Sequence, residues 1–70
     1  MGKQQDAVYA YDKAIDLEPE YAWAHNGKGL ALKALNRYAD ALVSFRRATQ
    51  YQPNDVWHWY NLTEMLVELG

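Results

Sequence analysis

The side chains in this 70-residue sequence best suited to acid–base, nucleophilic or metal chemistry are two histidines, one serine and a scatter of carboxylates. A metal site needs several such ligands converging on one point. His25 and His58 do not pair on one helix face, and no carboxylate is spaced to join either of them. Ser44 is the sole serine and has no histidine near it on the same face, so no nucleophile–base pair is formed. Asp12 and Asp16 lie one helical turn apart on a charged outer surface, a pattern that usually means solvation. Gly27-Lys28-Gly29 lacks both the Gly-x4-Gly-Lys-Ser/Thr spacing and the preceding strand of a phosphate-binding loop. Arg46 and Arg47 could grip a phosphate, but an isolated pair on an outer face reads as solvated surface. The expectation is no catalytic residue, no metal and no cofactor, hence no enzyme, although a fold alone never excludes activity.

Composition narrows the classes further. Half of the residues are hydrophobic, which argues against disorder, and the net charge of -2 supplies no basic field for nucleic acid. There is no cysteine, so no disulfide framework or thiolate ligand exists and the redox compartment stays open. No apolar run approaches the roughly 18 residues that read as a membrane span. Nothing resembles a signal peptide, and cytoplasm is the default expectation. Met1-Gly2 opens like a myristoylation signal, but Asp6 stands where that motif wants Ser or Thr.

Since no chemistry converges, the organisation of the chain carries the reading. Features recur at an offset of 34 residues: Asp6 and Asp40, Ala7 and Ala41, Tyr11 and Phe45, Ala14 and Ala48, Pro19 and Pro53, Trp23 and Trp57, Leu32 and Leu66, Leu35 and Leu69. A fixed period of this size marks a helical repeat array.

Four antiparallel helices are predicted, an all-α solenoid fragment. The first runs over Lys3 to Leu17, with Val8, Tyr11 and Ile15 at helical spacing, and stops before Pro19. The second spans about Tyr21 to Leu35, with Glu20 at its positive end. Gly29 is expected to let the third helix approach, whereas Gly27 has no assigned partner and is expected to weaken the helix locally. Asn36 can take a left-handed cap conformation. The third helix covers Tyr38 to Tyr51, burying Ala41, Leu42, Phe45 and Ala48. Asn54 and Asp55 offer caps for the fourth, Val56 to Leu69. That helix shows two apolar stripes: Trp59, Leu62, Leu66 and Leu69 on one side, and Trp57, Tyr60 and Val67 on another.

These elements resemble the tetratricopeptide repeat, whose 34-residue helix–turn–helix unit reads Trp-x2-Leu-Gly-x2-Tyr, then Ala-x3-Phe, then Pro. The central unit reads His25-x2-Lys28-Gly29-x2-Leu32, then Ala41-x3-Phe45, then Pro53. The fourth helix reads Trp59-x2-Leu62-Thr63-x2-Leu66, and the first reads Ala7-x3-Tyr11, then Pro19. His25 departs from the signature Trp, and Thr63 from a Gly. The resemblance implies a single domain divided into the second helix of a preceding repeat (1–21), one complete repeat (22–55) and the first helix of a following one (56–70). Beginning and ending mid-repeat, the chain reads as an excised or engineered fragment.

The resemblance also implies a function. Family members bind extended peptides in a concave groove lined by the first helices of successive repeats. Carried over by slot, the groove residues are Trp23, Asn26, Gly27, Leu30 and Lys33, then Trp57, Tyr60, Asn61, Glu64 and Val67. The two tryptophans could equally serve as core at the helix starts. Members that hold the acidic tails of heat-shock chaperones use a Lys, Asn and Arg clamp in these slots. Here the Lys slot holds Trp23 and Trp57, and only Asn61 matches an Asn slot, so no such clamp is expected. The groove has no basic stripe, which again excludes nucleic acid.

A second expectation concerns self-association. The stripe Trp59, Leu62, Leu66 and Leu69 needs cover. Ala7, Tyr11 and Ala14 lie at the offsets at which Ala41, Phe45 and Ala48 pack inside the chain. Two copies could therefore close into a dimer by exchanging helices, or propagate head to tail as a scaffold.

Overall fold

The structure is a computed structural model describing residues 2–70. It contains four helices: α1 (Lys3–Leu17), α2 (Ala22–Ala34), α3 (Tyr38–Tyr51) and α4 (Val56–Leu69). Each packs against the next in the chain, with the most extensive packing between α2 and α3. Tyr21 and Leu35, expected inside α2, flank it as N-cap and C-cap residues.

The helix boundaries follow from local chemistry. Pro19 and Pro53 close the first and third helices, because a proline restricts the residue before it and donates no N–H. Asn36 adopts φ 63°, the left-handed conformation that ends a helix. Behind it the Arg37 N–H reaches back to the Leu32 carbonyl at 2.9 Å, the long-range bond of a Schellman-type cap. At α4 the Asp55 carboxylate accepts from the Trp57 N–H at 2.9 Å, while Asn54 takes no capping role.

The core comprises Val8, Ala31, Leu32, Ala41, Phe45, Leu62 and Met65, with Ala7, Leu35 and Leu42 packed against it. Gly29 earns its place there: a Cβ on it would meet Phe45 Cε1 at 2.5 Å, so only glycine lets α3 come this close.

Three expectations need correction. Gly27 is a second packing glycine, since an added Cβ would fall 2.3 Å from Tyr11 Cζ. The ring of Tyr11 reaches it from α1, an inter-helix pairing that spacing within α2 could not show. Leu62 is not part of an exposed stripe. It is buried in the core beside Met65, while Trp59, Leu66 and Leu69 are left outside. The inner side of α4 consists of His58, Asn61, Leu62 and Met65, two of them polar, which is why hydropathy placed its core stripe wrongly. Asp12 also differs from expectation: it pairs with Lys28 at 2.7 Å across α1 and α2. Both partners are partly exposed, and such pairs contribute on the order of 0–1 kcal/mol.

Candidate interaction surface

Three contacts join α2 to α4 where a groove is expected, while Gly27, also expected there, packs against Tyr11 of α1. At the centre Asn61 Nδ2 donates to Asn26 Oδ1 at 3.0 Å, with both side chains buried. At one end the Trp23 ring meets the His58 ring edge-on, centroids 5.1 Å apart. At the other end Lys33 Nζ lies 3.5 Å from Glu64 Oε1.

Above this floor α4 carries an aromatic platform. Trp57 and Tyr60 stack with centroids 5.4 Å apart and planes within 16°. The Tyr60 hydroxyl donates to Glu64 Oε2 at 3.0 Å, so Glu64 joins the platform to Lys33. This hydrogen bond, then the negative charge of Glu64, holds the Tyr60 phenol above its ordinary value, with Lys33 opposing. Trp23, Leu30, Trp57, Tyr60 and Val67 are exposed, the two tryptophans each about half covered. Leu30 borders a smaller cleft of about 320 Å³ with Ala7, Tyr11 and Gly27.

Asn26 and Asn61 depart from expectation. The repeat slots point both to ligand contact, but both are buried and spent on each other. They fix the spacing of the two helices instead of presenting amides to a partner. A polar residue at an interior slot looks, in sequence, like surface.

His58 is fully buried under Trp23. Asp55 Oδ2 stands 3.5 Å from its Nε2 but without hydrogen-bond geometry, and neither ring nitrogen has a hydrogen-bond partner. His25 is also buried, yet satisfied: its Nε2–H donates to the Pro19 carbonyl at 2.8 Å, and its ring lies against Tyr51. Trp59 Nε1–H makes the same bond, to Pro53, at 2.7 Å. Among the described residues no three His, Asp or Glu side chains converge into a metal-binding group. A second cleft of about 520 Å³ runs between α1 and α3 across α2, lined by Asp12, His25, Lys28, Ser44 and Arg47 among others. Sequence reading missed it because its walls come from three helices.

Comparison with known proteins meets the same periodicity. A family model described as the tetratricopeptide repeat matches residues 22–55, and a second, described as a TPR repeat, matches residues 1–36. The chain belongs to the tetratricopeptide repeat family. Tetratricopeptide repeats generally serve as non-catalytic modules for protein–protein interaction. The chain is similar to the TPR repeat-containing protein MJ0941 of Methanocaldococcus jannaschii, at 36% identity over 53 residues. That match covers 76% of this chain and only 16% of the relative, so the chain spans a small part of that protein's length. No solved structure matches. No helix is long and apolar enough to cross a membrane, among the described residues. Within this family His25 replaces the signature tryptophan, and the hydrogen bond to the proline carbonyl shows what it retains: a ring N–H aimed at the preceding turn.

Proposed function

We propose that this tetratricopeptide repeat chain binds an extended peptide, or an extended segment of a partner protein, along the side shared by α2 and α4. The supporting observation is the group Trp23, Trp57 and Tyr60, all substantially exposed on helices locked together by the buried Asn26–Asn61 bond. Rigid aromatic rings offer large contact area at little entropic cost, and their N–H and O–H groups can pair with a peptide backbone. Leu30 and Val67 extend the apolar area, and Lys33 and Glu64 supply charge of both signs at one end. The contact residues of this reading are Trp23, Leu30, Lys33, Trp57, Tyr60 and Glu64, with Asn26 and Asn61 as the floor. It treats residues 22–55 as one repeat unit, 1–21 as the second helix of the unit before and 56–70 as the first helix of the unit after.

The test is to select binders from a displayed library of random peptides, then titrate the best of them by tryptophan fluorescence. Trp57→Ala should weaken binding about tenfold or more, as hot-spot aromatics do. Trp59→Ala, on a different side of α4, should leave the affinity unchanged. Equal affinity of Trp57→Ala and the native chain for every selected peptide would remove the assignment.

A further inference from the structure

The cleft between α1 and α3 is floored by His25, Lys28 and Leu32 of α2, the helix on which both walls pack. One end is marked by Leu32, whose carbonyl accepts from the Arg37 N–H at 2.9 Å. The other end is marked by His25, whose ring lies against Tyr51, one helical turn beyond Arg47. From His25 to Leu32 the helical rise gives a floor about 10 Å long. Apolar side chains stand on all three sides: Val8 and Tyr9 from α1, Leu32 from α2 and Val43 from α3. Three cations line the cleft against two carboxylates. Lys28 is held by Asp12 at 2.7 Å, and Arg37 by Asp40 at 3.0 Å. Arg47 joins no salt bridge among the described residues. Its neighbour Arg46 does not line the cleft, so the two adjacent arginines of the sequence have different surroundings. Ser44, one turn before Arg47 and on the same face of α3, brings a hydroxyl to the same cleft.

We propose that this cleft binds a small organic monoanion, a carboxylate carried on an aromatic or alkyl body about 10 Å long. Its volume of about 520 Å³ falls within the roughly 300–1,000 Å³ of small-molecule sites. The carboxylate pairs with Arg47, whose planar guanidinium can donate two parallel hydrogen bonds, and the Ser44 hydroxyl is a further donor. The apolar body lies over Leu32, between Val8 and Tyr9 on one side and Val43 on the other. Charge sets the ligand at one negative unit. With Lys28 and Arg37 matched by their own carboxylates, one positive charge is left over, and a second negative charge would face Asp12 and Asp40 with no cation to offset it. Length argues against a peptide here, since at about 3.3 Å per residue the floor spans only about three extended residues. No residue lining the cleft belongs to the proposed peptide-binding group, so either reading can fail without the other.

The probe is phenylbutyrate, titrated into the native chain while amide resonances are followed by NMR. Saturable shifts should appear on α1, α2 and α3 around the cleft. Phenylbutyramide, which lacks the charge, and butyrate, which lacks the ring, should each bind about tenfold more weakly or worse. Arg47→Gln should weaken phenylbutyrate about tenfold, and Val43→Glu, which sets a carboxylate against the ligand, should abolish binding. Arg46→Gln should leave the affinity unchanged. All three positions are exposed, so the fold should persist, which the remaining resonances verify. Absence of saturable shifts, an amide that binds as well as the acid, equal losses in Arg46→Gln and Arg47→Gln, or shifts confined to the side shared by α2 and α4 would each overturn the proposal.

Discussion

His25 and Trp59 differ in size and chemistry, yet each sends a ring N–H to the carbonyl of the proline six residues before it. The position is therefore defined by a donor at a fixed height on the helix as well as by apolar bulk. His25→Phe keeps an aromatic ring and loses the donor, leaving the buried end of the Pro19 turn short of a hydrogen bond. It should cost about 1–2 kcal/mol in chemical denaturation, whereas His25→Trp, which restores the family residue and its N–H, should cost less. At Tyr60 the prediction concerns pH. Glu64 favours the neutral phenol, so Tyr60 should ionise at higher pH than an ordinary tyrosine, read as the tyrosinate absorbance that Tyr60→Phe removes. Because the folded-state value is raised, the contribution to stability is present below the ordinary tyrosine range and fades as pH rises through the folded value. Glu64→Gln should bring the ionisation down, since the carboxylate's charge is gone while that of Lys33 remains.

At the scale of helices, the two glycines of α2 look alike in sequence and differ in their surroundings. Replacing either by alanine gains about 1 kcal/mol of helix propensity, and either new methyl collides with a ring. Phe45 is fully enclosed and cannot retreat, so Gly29→Ala should be destabilising overall, overpacking costing about 1–3 kcal/mol. Tyr11 is half-buried on an outer helix and its ring can swing outward, so Gly27→Ala should come out near neutral in the same denaturation measurement. This contrast marks how far the sequence could be read. Pro19, Asn36 and Pro53 punctuate the chain by backbone restriction, which is local, and the helix limits came within a residue. The pairing of Tyr11 with Gly27 is set by how α1 crosses α2, which no local pattern encodes. On α4 nearly every side carries apolar residues, so periodicity could not separate Leu62, inside, from Leu66, outside. The shared side of α2 and α4 was legible through the repeat slots, but the burial of Asn26 and Asn61 was not, because an amide reads as surface until its partner is known.

The whole molecule places its best-covered helix in the middle. α2 is flanked by α1 and α3 and linked to α4 by the Asn26–Asn61 bond, while α1 and α4 are each packed chiefly against one neighbour. A 70-residue chain has little core to spare, so opening should start where cover is thinnest. Amide hydrogen exchange at high dilution should therefore find the slowest amides in α2 and α3, with α1 and α4 exchanging through partial opening. Asn26→Ala tests how the outer helix is held. It strands the Asn61 amide in a buried position, which should cost about 1–3 kcal/mol and appear as faster exchange in α4 before α1 is affected. A profile uniform over all four helices would mean that the chain opens only as a unit.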